Sequence, residues 1–148
     1  MQQIFLKKSK RKIGRLIFHH FGNHPPEGMN VAKIRHMHIN EREWDDAGYQ
    51  GVIMPDGEFQ IGRPVDQAGA HTWGFNRGSI GIMFVAGLKP GAEFTKPTRA
   101  QLATARMIIE EQKKYYPNLE VCGHRDLRPT LCPGFDIKHW YETDEVRA

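Results

Sequence analysis

The sequence predicts an α/β fold, a mixed central β-sheet covered by helices, and three observations carry that reading. Short β-prone runs alternate with stretches of helical period, the pattern of a layered domain. Pro55-Asp56-Gly57 separates two of the β-prone runs and marks a hairpin, so one strand pair is antiparallel. Thr98-Arg99-Ala100-Gln101 has the S/T-x-x-E/Q form of a capping box and opens the clearest helix of the chain.

Taken in order, residues 15–20 form a short apolar run that closes on His19 and His20, and Phe21-Gly22-Asn23-His24-Pro25-Pro26 then reads as a loop. Both histidines therefore sit at a strand's end, on a rim. Asn30 is placed to cap a short helix reaching about Asn40, with Val31, Ile34 and Met37 or His38 facing inward. His36, His38 and Trp44 read as structural. Residues 48–54 and 58–62 are the hairpin strands, and residues 79–86 a further strand. Between them Gly69-Ala70-His71-Thr72-Trp73-Gly74-Phe75-Asn76-Arg77-Gly78 has glycines and aromatics but no period, so it reads as a shaped surface loop of the kind that lines sites. Leu102, Ala105 and Ile109 recur at helical spacing as far as about Tyr115, and Pro117 stops that helix. Residues 119–122 suit another strand, residues 123–134 a loop carrying Pro129 and Pro133, and residues 137–141 a brief last helix.

At 148 residues, 39% hydrophobic, the chain makes one ordinary domain, with no repeat and no linker to divide it. A domain of that size buries roughly 70% of the surface its unfolded chain exposes and needs no disulfides to fold. No window approaches the ~18 unbroken apolar residues of a membrane helix, and Leu16-Ile17-Phe18 is too short for a signal-peptide core, so a soluble, unprocessed chain is expected. Net charge is +4, unevenly spread: Lys7, Lys8, Lys10, Arg11, Lys12 and Arg15 all precede the first acid, Glu27. Taking those six from the 21 basic residues leaves 15 against 17 acidic ones, a balance of −2. The basicity thus belongs to an N-terminal arm, residues 1–14, and residues 15–148 form the domain, which argues against a wholly basic nucleic-acid face. The arm reads as a solvated, frayed terminus, with an anionic wall polymer, nucleic acid or an acidic partner as alternatives.

Cys122 and Cys132 are the only cysteines, and eight histidines accompany them. In a chain with no export signal, thiolate chemistry or metal ligation is favoured over a disulfide. His124 and Cys132 share one irregular loop with seven residues between them, a spacing that lets the loop curl both side chains onto one metal. A third nitrogen must come from a distant strand end, where His19 or His20 is available. Two nitrogens and a thiolate suit Zn2+ in tetrahedral geometry. The same residues also allow surface histidines beside a buried free thiol. They further allow a closed structural zinc of His19, Cys122, His124 and Cys132, which would keep no open position and make the protein a binding module.

Five segments, in order, resemble the zinc-dependent N-acetylmuramoyl-L-alanine amidases, a family that includes bacteriophage lysozyme-type amidases and peptidoglycan recognition proteins. Leu16-Ile17-Phe18-His19-His20 is similar to the family's first strand, and Asp46-Ala47-Gly48-Tyr49 to the segment whose tyrosine lies at the active site. Asn76-Arg77-Gly78-Ser79-Ile80-Gly81 resembles the N-x-x-S-I-G start of a core strand. Cys122-Gly123-His124-Arg125-Asp126 and Thr130-Leu131-Cys132-Pro133-Gly134 resemble the closing motif. The likeness implies an amidase and recognition-protein-like α/β domain with His19, His124 and Cys132 as zinc ligands and Tyr49 and Thr130 as catalytic residues. Gln50 stands where many relatives have a histidine, and Thr130, where the phage type has lysine, is the recognition-protein choice.

The implied reaction is hydrolysis of the amide between N-acetylmuramic acid and the L-alanine of the peptidoglycan stem. Zinc lowers the pKa of a bound water towards about 7, and the Tyr49 and Thr130 hydroxyls would steady charge on the carbonyl oxygen. His20, His71, Trp73 and Asn76 are candidates for holding muropeptide, with His71 also a candidate general base. The resemblance implies an endolysin-like, monomeric protein made in the cytoplasm that acts on the bacterial cell wall after holin- or lysis-mediated release. Two other classes stay open: a non-catalytic peptidoglycan-binding module with structural zinc, and a regulatory protein contacting nucleic acid or a polymerase through the basic arm.

Overall fold

The computed structural model describes residues 4–23, 28–44, 46–88 and 96–148. The elements follow the predicted order: β1 (Arg15–Asn23), α1 (Val31–Arg42), β2 (Gly51–Ile53), β3 (Phe59–Ile61), β4 (Ser79–Leu88), α2 (Arg99–Tyr115), β5 (Glu120–Gly123), a 3-10 turn (His124–Asp126) and α3 (Ile137–Thr143). They build one five-stranded sheet in the order β3-β2-β4-β1-β5. The β1/β4, β1/β5 and β2/β4 pairs are parallel, and the β2/β3 hairpin is antiparallel, so the sheet is mixed. The loop expected at His24 to Pro26 lies outside the described residues.

Alternation along the strands divides the core in two. Leu16 and Phe18 of β1 and Ile80, Ile82 and Phe84 of β4 face the larger cluster, where α2 and α3 add Ala105, Ile108, Ile109, Ile137 and Trp140. Met83 and Val85 of β4 face the smaller cluster, closed by Ile34 of α1. Helix ends are fixed by side chains: Asn30 accepts from the Lys33 N–H, and Thr98 and Gln101 form the predicted capping box.

Several boundaries differ from the sequence reading. Strands β1 and β4 each run past the predicted end because they pair with one another beyond a bulge between His20 and Gly22. Residues 48–50 are not strand: Gly48, Tyr49 and Gln50 bond instead to Ala70, Arg63, Gly62 and Gly81, which turns Tyr49 out of the ladder. The brief last helix continues to Thr143, where Asp144 adopts a left-handed conformation and ends it.

A solvated terminus does not describe residues 4–14. Phe5, Leu6, Ser9 and Ile13 are buried, while Lys7, Lys8, Lys10 and Lys12 stay exposed. The Phe5 and Leu6 N–H groups donate to the buried Glu111 carboxylate of α2 at 2.7 and 2.8 Å. Interspersed apolar residues, hidden within a run of charge, carry the segment onto the core. Among the described residues no helix is long and apolar enough to cross a membrane.

Candidate metal centre and cleft

Register brings the first two candidate ligands together. In the parallel β1/β5 pair the last partners are Phe18 and Gly123, so the next residues along each strand, His19 and His124, arrive side by side with ring centroids 4.8 Å apart. His124 follows the carboxyl end of β5, where open α/β sheets place their sites, and His19 lies beside it within β1. Cys132 closes the group from the following loop, which is pinned by the Arg125 N–H to the Cys132 carbonyl at 2.7 Å and the Cys132 N–H to the Thr130 Oγ1 at 3.2 Å. The ligand atoms of His19, His124 and Cys132 all lie within 4.8 Å of one another.

The electrostatics fit a cation. Burial, reinforced by His71, His124 and His20, holds the His19 ring well below its usual pKa, and burial together with Arg128 lowers that of His124. Burial pushes the Cys132 thiol up to about 12, against the pull of the His20 N–H that donates to its Sγ at 3.3 Å. Two neutral imidazoles and a thiol thus face one another with no anion among them, a set that would hold a divalent metal with Cys132 as thiolate. Two imidazole nitrogens and one sulfur are a donor set that matches zinc.

His19 is held from behind. Its Nδ1 is the nitrogen near the Cys132 Sγ, at 3.7 Å, while its Nε2 lies 3.0 Å from His71 Nδ1 and 3.3 Å from Thr72 Oγ1. His71 Nε2 in turn approaches Ser79 Oγ at 3.4 Å, and that hydroxyl donates to the Phe75 carbonyl at 2.7 Å. With His19 Nε2–H donating, every ring nitrogen in this chain has a consistent role. Burial pulls the His71 pKa down to about 3, so the ring stays neutral. Its nitrogens are spent on His19, Thr72 and Ser79, which makes it an orienting residue and removes the reason to assign it as general base. Gly81 permits this packing, because a Cβ there would come within 2.5 Å of the His71 ring.

Above the ligands opens a cleft of about 740 Å³ lined by all three ligand residues and by every other sequence-predicted site residue: His20, Tyr49, His71, Trp73, Asn76 and Thr130. Tyr49 packs against His19 with centroids 5.1 Å apart, and burial, with Cys132 nearby, pushes its phenol up, so it stays protonated. His20 is buried with no hydrogen-bond partner for either ring nitrogen among the described residues. Trp73 is 77% exposed on the rim beneath the Arg128 guanidinium. Asn76 also braces the loop, since its Oδ1 accepts the His71 and Thr72 N–H groups. Thr72, Ser79 and Gly81 were missed by sequence reasoning, although the Asn76-to-Gly81 motif contains two of them.

Cys122 stands apart. It is buried in β5 opposite Ile17, and β5 ends at Gly123 before His124 turns into the 3-10 segment, so the two side chains do not share a strand face. Among the described residues the metal-competent group contains His19, His124 and Cys132 without it.

Residues 9–135 match the N-acetylmuramoyl-L-alanine amidase family. The chain belongs to that family. An endolysin of Klebsiella phage KP32 is 36% identical over 122 residues, covering 80% of this chain and 78% of its own. The endolysin of Escherichia phage T7 is 30% identical over 140 residues, covering 94% and 92%. Among solved structures, the complex of tracheal cytotoxin with the peptidoglycan recognition proteins LCa and LCx aligns with a TM-score of 0.74 at 29% identity, over 96% of this chain and 88% of that one. The endolysin amidase LysCS of Clostridium intestinale gives 0.74 at 25% identity, over 89% and 85%. These amidase-family neighbours share the mixed α/β architecture predicted from the sequence.

Proposed function

We propose that this protein is a zinc-dependent N-acetylmuramoyl-L-alanine amidase that cleaves muropeptide in bacterial cell wall. The observation that carries the reading is the convergence of His19, His124 and Cys132 at the floor of an open cleft. Zinc held by those three residues supplies a Lewis acid and a water that is nucleophilic near neutral pH.

The chain's own residues do the rest. His71 and Thr72 fix the His19 ring so that Nδ1 faces the centre. Tyr49, kept protonated by its surroundings, is a donor for the scissile carbonyl oxygen as it becomes negative. Thr130 accepts the Cys132 N–H with its oxygen and keeps its own O–H to donate into the cleft. A positioned donor of this kind contributes about 3 kcal/mol to a transition state. The unpartnered ring of His20 and the exposed indole of Trp73 offer a polar and an apolar contact to the substrate. The phage relatives and the cytotoxin-bound recognition proteins support peptidoglycan as that substrate and the cell wall as the place of action.

The test is turnover of purified muropeptide, with product mass recorded for wild type, Cys132→Ala and Cys122→Ala. Free stem peptide from wild type and Cys122→Ala, but not from Cys132→Ala, is the expected result. A zinc-loaded wild type that cleaves nothing overturns the amidase and leaves a binding module. Loss of metal in Cys122→Ala overturns the three-ligand site.

A further inference from the structure

Arg11 belongs to the basic run that the amidase chemistry does not use, yet its side chain is engaged by the loop behind the metal centre. Its Nε donates to the Val65 carbonyl at 2.9 Å, and its Nη1 to the carbonyls of Asn76, Arg77 and Ser79 at 3.2, 2.9 and 3.0 Å. The carbonyl between them, Gly78, accepts the Gly14 and Arg15 N–H groups at 2.8 and 3.2 Å. Residues 11–15 therefore take four consecutive carbonyls, 76 to 79, where the loop enters β4. Ser9 anchors the other side, with its Oγ donating to Val65 and accepting the Arg11 N–H.

That segment is the one that sets His19. Asn76 holds the His71 and Thr72 backbone through its Oδ1, Ser79 meets the His71 ring, and His71 and Thr72 both contact His19 Nε2. All three loop carbonyls fall to the one Nη1, while Nη2 is buried with no hydrogen-bond partner among the described residues. The rigid, always charged fork suits the task because Nε, held by Val65, fixes where Nη1 points, whereas an ammonium is a point charge on a flexible stem. We propose that Arg11 is a positioning residue for the metal centre: by collecting the 76, 77 and 79 carbonyls it locks the loop that orients His19 for metal. The inference rests on His19, His124 and Cys132 being the ligand set, and it does not depend on what the loaded protein cleaves.

Zinc affinity by chelator competition and amide hydrogen exchange of His71 and Thr72 test it on the full chain. Arg11→Ala should bind zinc about 10-fold more weakly, the lower end of the effect of losing a residue that orients a ligand, and its His71 and Thr72 amides should exchange faster. Arg11→Lys keeps the charge but not the fork and should recover neither property. Glu111→Gln weakens the Phe5 and Leu6 anchors of the same N-terminal segment without touching the loop, so it should lower melting temperature while leaving zinc affinity and loop exchange unchanged. Should Arg11→Ala fail to fold, Arg11→Lys is judged by the same two readouts. Zinc affinity in the Arg11 variants equal to wild type, or an equal loss in Glu111→Gln, overturns the proposal. A wild type that binds zinc but cleaves no muropeptide overturns the amidase reading and leaves this one intact.

Discussion

His19 Nε2 lies 3.0 Å from His71 Nδ1, and this contact decides which nitrogen of His19 is left for metal. Removing the His71 ring leaves Thr72 Oγ1, at 3.3 Å, as the remaining partner and opens space over Gly81. We expect His71→Ala to lose about 10- to 100-fold in zinc affinity, the usual effect of deleting a residue that orients a metal-bound histidine. Chelator competition measures it. An affinity within about twofold of wild type, well short of that range, would show that His71 does not orient the ligand.

Metal removal should also destabilise the fold, because the three ligands join β1 to the 3-10 turn and loop that follow β5. With free zinc at about 100-fold over its Kd the stabilisation is about 2.7 kcal/mol, which for a domain of this size corresponds to about 5–10 °C in melting temperature. Calorimetry with and without excess chelator checks this. Identical melting curves at verified zinc occupancy would contradict it.

The fold was legible where local chemistry decides it. Thr98 and Gln101 announced α2 through a capping box, Pro55-Asp56-Gly57 announced the hairpin, and the apolar runs announced β1 and β4. His124 and Cys132 were legible from their spacing in the last loop, which left His19 or His20 as the third ligand, and only the likeness to the amidases chose His19. What the sequence hid is the support around them. Nothing local says that Phe5 and Leu6 dock on Glu111, far along the chain, or that Arg11 reaches the 76–79 carbonyls. Those contacts follow from tertiary packing, and a run of positive charge masks the apolar residues that direct it. The same holds for the bracing by Asn76, whose Oδ1 satisfies two backbone N–H groups.

Gln50 gives a test of that hidden support. It is fully buried, its Oε1 accepting the Gly81 N–H at 2.8 Å and its Nε2 donating to the Gln67 carbonyl at 3.0 Å. Gln50→Leu preserves the bulk and strands the buried Gly81 N–H. An unpaired buried group costs about 1–3 kcal/mol, so the variant should lose about that much in a denaturant titration. A loss under about 0.5 kcal/mol, the level of a neutral surface change, would mean that the loop relaxes to find other partners.

His38 makes stability depend on pH. Its Nδ1 accepts the Gly48 N–H at 2.8 Å, so the ring must keep that nitrogen unprotonated, and it packs edge-on against Trp44 with centroids 4.6 Å apart. Burial, with Arg42 and Arg63 nearby, lowers its pKa from the ordinary 6.5 to about 4. Between those two values the unfolded chain binds the proton and the folded chain does not. Stability is therefore complete above about pH 6.5 and falls as pH drops towards about 4, with a slope of at most about 1.4 kcal/mol per pH unit from this one group. Other buried histidines add to the slope in the same direction, so the difference between wild type and His38→Gln isolates it. The variant, which cannot titrate there, should start less stable near pH 7 and lose less on acidification to about pH 4. Parallel stability curves for the two proteins across that interval would remove His38 from the account.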